Sequence, residues 1–284
     1  MRNPISIILP TLCLLLSVDN VEGQRSLFTS PFGIQTYTFR RSINLDPAKT
    51  LDTIQSLGFT EIEGSSSAVS PAEFRKLCEA RKLKIASTGA GFDELSEKPD
   101  SVILRAKALG ARFVMCAWIP HKSGEFNLQD AQKAVKVFNE AGRLLSEQGI
   151  TLCYHAHGYE FQLHETGTLL DYLISQTDPR WVSFEMDIYW IHFGGGDPVS
   201  LLNKYGSRWK LMHVKDMRKG IAKDLTGLTS PENDVALGTG QLDLPAILRA
   251  AKKAGIRHYF FEDESSRILE QLPRSMAYLR GLKE

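Results

Sequence analysis

Short apolar runs and amphipathic segments alternate along the chain, and glycine or proline marks most of the joints. The runs at 32–39 (FGIQTYTF), 60–64 (TEIEG), 84–92 (KIASTGAGF), 112–119 (RFVMCAWI), 150–157 (ITLCYHAH), 182–190 (VSFEMDIYW), 210–216 (KLMHVKD) and 258–264 (HYFFEDE) predict strands. They are continuous apolar stretches rather than strict alternations, as expected of strands covered on both faces. Helices are predicted between them. Asp46 caps the first, Pro47 takes its first helical position and Gly58 closes it. Ser70 and Pro71 repeat that start over 70–83, and further helical patterns cover 100–110, 128–149, 168–177, 197–206, 242–255 and 267–282. Strand–helix units that repeat without a break in composition predict an α/β fold, a single closed (β/α)8 barrel, rather than an open doubly wound sheet. No GxGxxG follows the first strand, which argues against a dinucleotide site.

The N-terminus stands outside this rhythm. Met1 and Arg2 make a basic start, and Ile5 to Val18 is mostly apolar but short for a bilayer. Val21-Glu22-Gly23 then offers a cleavage site before Gln24. Residues 1–23 are therefore expected to be a secretory signal peptide and 24–284 the mature domain, exported to the periplasm or secreted. No later stretch is apolar enough to predict a span, so no membrane association is expected after cleavage. The formal net charge of +1 gives no electrostatic case for a nucleic-acid partner. Cys78, Cys116 and Cys153 match no zinc or disulfide spacing and are expected to be buried apolar residues.

The chemistry gathers at the C-terminal ends of the later strands, where active sites of parallel barrels are built. Alternate strand residues share a face. This pairs His155 with His157, Glu185 with Asp187, His213 with Lys215 and Glu262 with Glu264. Burying so many ionisable groups is costly unless they pair or bind a cation. Asp187, His213 and Glu262 form a mixed nitrogen–oxygen set suited to Mn²⁺, Zn²⁺, Co²⁺ or Mg²⁺. Tyr37, Trp118, Tyr189 and Trp190 are placed to stack on a sugar face. His155, Glu185 and Glu63 are expected to touch substrate, and the loop 217–240 to cover the mouth.

The ordered series GIQTYTFR, SLGFTEIE, YHAHGYEF, EMDIYW, LMHVKD, ALGTGQLD and FFEDES resembles the xylose isomerase-like TIM barrel superfamily, the sugar phosphate isomerase/epimerase group, over residues 32–284. The resemblance implies one divalent cation held by Glu, Asp, His and Glu from strands five to eight. Carried over, this names Asp187, His213 and Glu262. Strand five departs from the pattern: His155 stands where relatives place a glutamate. Glu160 is taken provisionally as the remaining ligand, with His155 or His157 as alternatives.

The expected function is a divalent-metal-dependent sugar isomerase or epimerase acting through an enediolate. Glu262 with Glu160 or His157 would be base and acid, and Lys215 would stabilise the oxyanion. The alternatives are a metal-dependent lyase or dehydratase on oxidised (keto) sugars or glycosides, and a non-catalytic sugar-binding barrel. The partner is a small sugar; a homo-oligomer is compatible with the sequence.

Overall fold

The structure is a computed structural model and describes residues 25–284. The predicted signal peptide lies outside the described residues. Eight parallel strands close into a barrel: β1 (Gly33–Gln35), β2 (Glu61–Glu63), β3 (Lys84–Gly89), β4 (Phe113–Cys116), β5 (Thr151–His155), β6 (Val182–Asp187), β7 (Trp209–Val214) and β8 (His258–Phe261). Each pairs with its neighbours in sequence, and β1 closes on β8 through Gly33 opposite Phe260. Gly33 permits this closure, since a Cβ there would lie 2.6 Å from the Phe260 ring and 2.7 Å from the Tyr259 carbonyl.

The helices start as their caps dictate. Asp46 accepts the Lys49 amide at 2.9 Å ahead of α1 (Pro47–Ser56), and Ser70 accepts the Glu73 amide ahead of α2 (Pro71–Glu79). Three segments differ from expectation. The first strand stops at Gln35, and Thr36–Phe39 is a 3-10 helix rather than strand. Residues after Gly91 form a short helix, α3 (Phe92–Glu97), ahead of α4 (Pro99–Leu109). The sixth strand ends at Asp187, so that Ile188–Phe193 is a helix rather than strand. That segment is apolar on nearly every side, so periodicity alone could not assign it.

Inside the barrel, Ala86, Cys153, Leu211 and Phe260 pack into an apolar floor. Two residues further along three of those strands, on the same faces, stand His155, His213 and Glu262. The floor therefore seals the polar layer from the N-terminal end of the barrel. Cys78, Cys116 and Cys153 are buried and unbridged. Among the described residues no helix is long and apolar enough to cross a membrane.

Candidate functional site

Asp187 ends β6 and divides its carboxylate between two tasks. Oδ1 accepts the amides of Tyr189 (2.8 Å) and Trp190 (3.0 Å), capping the helix that follows. Oδ2 is buried with no hydrogen-bond partner. It lies 3.3 Å from His155 Nε2 and 3.4 Å from His213 Nδ1. His213 Nδ1 is 3.3 Å from Glu262 Oε2 and 3.2 Å from His155 Nε2. The four side chains thus bring one donor atom each to within 4.8 Å of one another. Against the upward push of burial, the Lys215 ammonium and neighbouring histidines hold Asp187 well below the usual carboxylate range, and Lys215 and His213 do the same for Glu262. Two ionised oxygens, one of them the orphaned Asp187 Oδ2, and two imidazole nitrogens fit a borderline divalent cation.

Behind His213 lies a supporting layer. Its Nε2 is 2.6 Å from Glu63 Oε1, which also accepts Gln35 Nε2 at 2.9 Å. A proton on Nε2 directed at Glu63 leaves the Nδ1 lone pair for a cation. Glu185 Oε1 is 3.5 Å from the same nitrogen. Burial, with Glu63 beside it, pushes Glu185 well above the usual carboxylate range. Glu63 and Glu185 were expected to touch substrate; both are fully buried and neither lines the pocket. Glu63 supports His213 instead, while neither oxygen of Glu185 has a hydrogen-bond partner. Glu63→Ala is expected to weaken metal affinity about 10–100-fold, and Glu63→Gln, which keeps an acceptor for Nε2, much less. Competition against a graded chelator measures both; equal affinity in wild type and Glu63→Ala would remove this role.

Glu160 does not join the donor cluster. Gly158, at φ +93°, turns the chain into a 3-10 segment, Tyr159–Phe161, that directs Glu160 inward beside β5. Its Oε1 accepts the Tyr154 phenol and, at 2.8 Å, the His157 amide. Tyr154 and Tyr159 hydroxyls are 2.9 Å apart, and Tyr159 accepts the Ile119 amide at 2.8 Å. Glu160 therefore fastens the loops after β4 and β5, and His155 takes the strand-five place in the cluster.

The mouth holds a pocket of about 560 Å³. His155, His157, His213 and Glu262 line it, as do Tyr37, Trp118 and Trp190. His157 stacks on Trp190 at 4.4 Å and meets Trp118 edge-on. Burial, with His155 beside it, pushes the His157 imidazole down to about 3, so it is neutral at ordinary pH. Gly227, Leu228 and Thr229 add a wall from the loop after β7. Lys215, expected to face an oxyanion, is a correction. It is fully buried behind the wall, with Nζ 3.0 Å from both Glu262 Oε2 and Glu264 Oε1 and 4.0 Å from Asp234 Oδ2. It clamps carboxylates. Gln35 and Arg40 line the pocket without having been singled out, and so does Glu264, which the strand pattern pairs with Glu262 but gives no role. Glu264 was detectable, because it shares a face with Glu262; Gln35 and Arg40 carried no comparable signal.

Among solved structures, a sugar phosphate isomerase/epimerase from Parabacteroides distasonis superposes with a TM-score of 0.74 at 24% identity, covering 88% of this chain and 93% of its own. An IolI protein with a bound zinc atom superposes with a TM-score of 0.68 at 15% identity, covering 87% and 95%. At these identities the likeness is one of fold. Two inosose dehydratases are similar in sequence. That of Geobacillus thermodenitrificans is 29% identical over 147 residues, 49% of this chain and 48% of the relative. That of Clostridium beijerinckii is 33% identical over 97 residues, 34% and 32%. The match therefore spans about half the length of the first relative and about a third of the second. The xylose isomerase-like TIM barrel family matches residues 51–282, and with the closed barrel and its strand-end cluster this places the chain in that family.

Proposed function

We propose that this protein is a divalent-metal-dependent lyase that removes water or another β-leaving group from a neutral keto-sugar or keto-polyol. The observation that carries this reading is the character of strand five. It offers the pocket imidazoles, His155 and His157, while its nearby carboxylate, Glu160, is bound elsewhere. Inverting a carbon calls for proton delivery to the face opposite abstraction, and so for a second group. Elimination needs only one group that takes a proton and returns it.

His155, Asp187, His213 and Glu262 would hold the cation. When bound it would polarise a carbonyl and its neighbouring hydroxyl. His157, neutral and stacked on Trp190, takes the proton alpha to the carbonyl, its imidazolium favoured by the nearby Asp187 and Glu262 carboxylates against the burial that otherwise holds it neutral. The C–H pair forms the enolate; the enolate expels the β-hydroxyl as the C–O bond breaks, and the imidazolium gives the same proton to the departing oxygen. The products are water and an unsaturated ketone, with His157 restored. Lys215 keeps Glu262 ionised and fixed throughout.

The similarity to inosose dehydratases supports the choice of probe. Incubating metal-loaded protein with inosose in D₂O should give a product lighter by one water. Retention of the water, with the mass raised by carbon-bound deuterium, would favour the second reading, sugar isomerisation or epimerisation, which the carboxylates of Glu262 and Glu264 in the pocket wall support. Neither change, with metal bound, would overturn both. The basic start and apolar run at the N-terminus support export, which secretion of the full chain with loss of residues 1–23 would test.

A further inference from the structure

We infer that Glu264 is the residue that reads the substrate's hydroxyl groups, and that it restricts the pocket to neutral polyols. This rests on the reading of the pocket as a sugar site and adds the chemical class it admits. Glu264 follows β8 and is held by groups from three different elements. Its amide donates to Asp234 Oδ2 at 2.7 Å, its carbonyl accepts Arg40 Nη2 at 2.7 Å, and its Oε1 accepts Lys215 Nζ at 3.0 Å. The side chain is 20% exposed, and the residue lines the pocket beside Glu262. Among the described residues, Oε2 has no hydrogen-bond partner. A carboxylate fixed this way is a preorganised acceptor with one oxygen to spare. An ionised carboxylate can only accept, so what it meets must donate, as a hydroxyl does.

The charge around it selects against anions. Arg40 is the arginine in the lining; its guanidinium donates to the carbonyls of Glu264 and Tyr37 and lies 4.8 Å over the Tyr37 ring, which holds it beside Glu264 rather than in front of it. Lys215 is enclosed by Glu262, Glu264, Asp187 and Asp234. A phosphate or carboxylate placed at Glu264 would therefore meet a fixed negative charge, with Lys215 already enclosed by carboxylates, whereas a polyol would meet an acceptor already in place.

The test is calorimetric binding to metal-loaded full-length protein of inosose, the set of monodeoxy inososes, and an inosose phosphate. Wild type should bind inosose at least tenfold more tightly than the phosphate, and one monodeoxy analogue should lose at least tenfold. In Glu264→Gln, inosose should weaken by about the same factor, that analogue should show no further loss, and the phosphate gap should narrow, with metal content unchanged. A purely structural role would weaken every analogue equally. Glu264→Asp, which keeps the charge on a shorter stem, should fall between and serves if the glutamine variant does not fold. No binding of any neutral polyol by wild type, an analogue loss that persists in the variant, or tighter binding of the phosphate would each overturn the inference. Binding of this pattern without elimination would leave Glu264's role standing and remove the lyase reading alone.

Discussion

Asp187→Ala protein is expected to carry no stoichiometric divalent metal, while wild type carries one equivalent, and any turnover should drop by at least about a hundredfold. Asp187 contributes two things at once: the orphaned Oδ2 in the donor cluster and the Oδ1 cap on Ile188–Phe193. Alanine removes both, and the lost cap alone costs about 1 kcal/mol. Asp187→Asn separates them. An asparagine oxygen can still accept the Tyr189 and Trp190 amides, so stability should be nearly kept, but the anionic donor is gone. Elemental analysis beside a thermal melt resolves the two. A fully loaded asparagine variant, or a wild type that stays metal-free after reconstitution, would dismantle the proposed centre.

The largest expected loss of stability comes from a single methyl group at Gly158. Its φ of +93° is one that side-chain-bearing residues rarely adopt, and a Cβ there would lie 2.6 Å from the Trp190 carbonyl oxygen. The chain after β5 thus rests directly on the backbone of the helix after β6, and that contact brings His157 against Trp190. Gly158→Ala should cost about 3 kcal/mol, combining backbone strain with overpacking. It should also slow any catalysis by separating the stack. Gly149→Ala is the control: its φ is +73°, but nothing lies within 4 Å of the added methyl. About 1 kcal/mol is expected there, from backbone strain alone. Urea unfolding followed by tryptophan fluorescence compares them, and equal losses would mean that the close approach has no energetic weight.

The barrel was legible because its signals are local. Asp46-Pro47 and Ser70-Pro71 announce helix starts from adjacent residues, and covered strands declare themselves by continuous apolarity. Asp187, His213 and Glu262 were legible for a related reason: each ends an apolar run, where a charged group must find a partner. What escaped depends on contacts far apart in sequence. The lining role of Gln35 is set by where β1 ends, and Glu63 serves His213 across 150 positions. Lys215 could not be distinguished from an oxyanion partner until Asp234 and Glu264 arrived beside it. Glu160 misled because its spacing from strand five permits a return to the mouth. The positive φ at Gly158 sends the chain another way.

The loop between β7 and the helix Leu244–Ala254 leaves and returns through a narrow neck. Asp216 receives the amides of Met217, Gly238, Gly240 and Leu242, Met217 bridges Asp234, and Arg218 donates to the Asn233 carbonyl at 2.9 Å. The tip between Arg218 and Asn233, which carries the pocket-wall residues Gly227, Leu228 and Thr229, is thereby a cassette with its two ends already joined. Tips of other lengths are expected to close at that neck at little entropic cost once its ends are pinned, provided they keep the close approach of Gly227 to His157 and Tyr159. One splice point thus governs the pocket wall opposite the strand ends, and with it the shape of whatever the pocket admits.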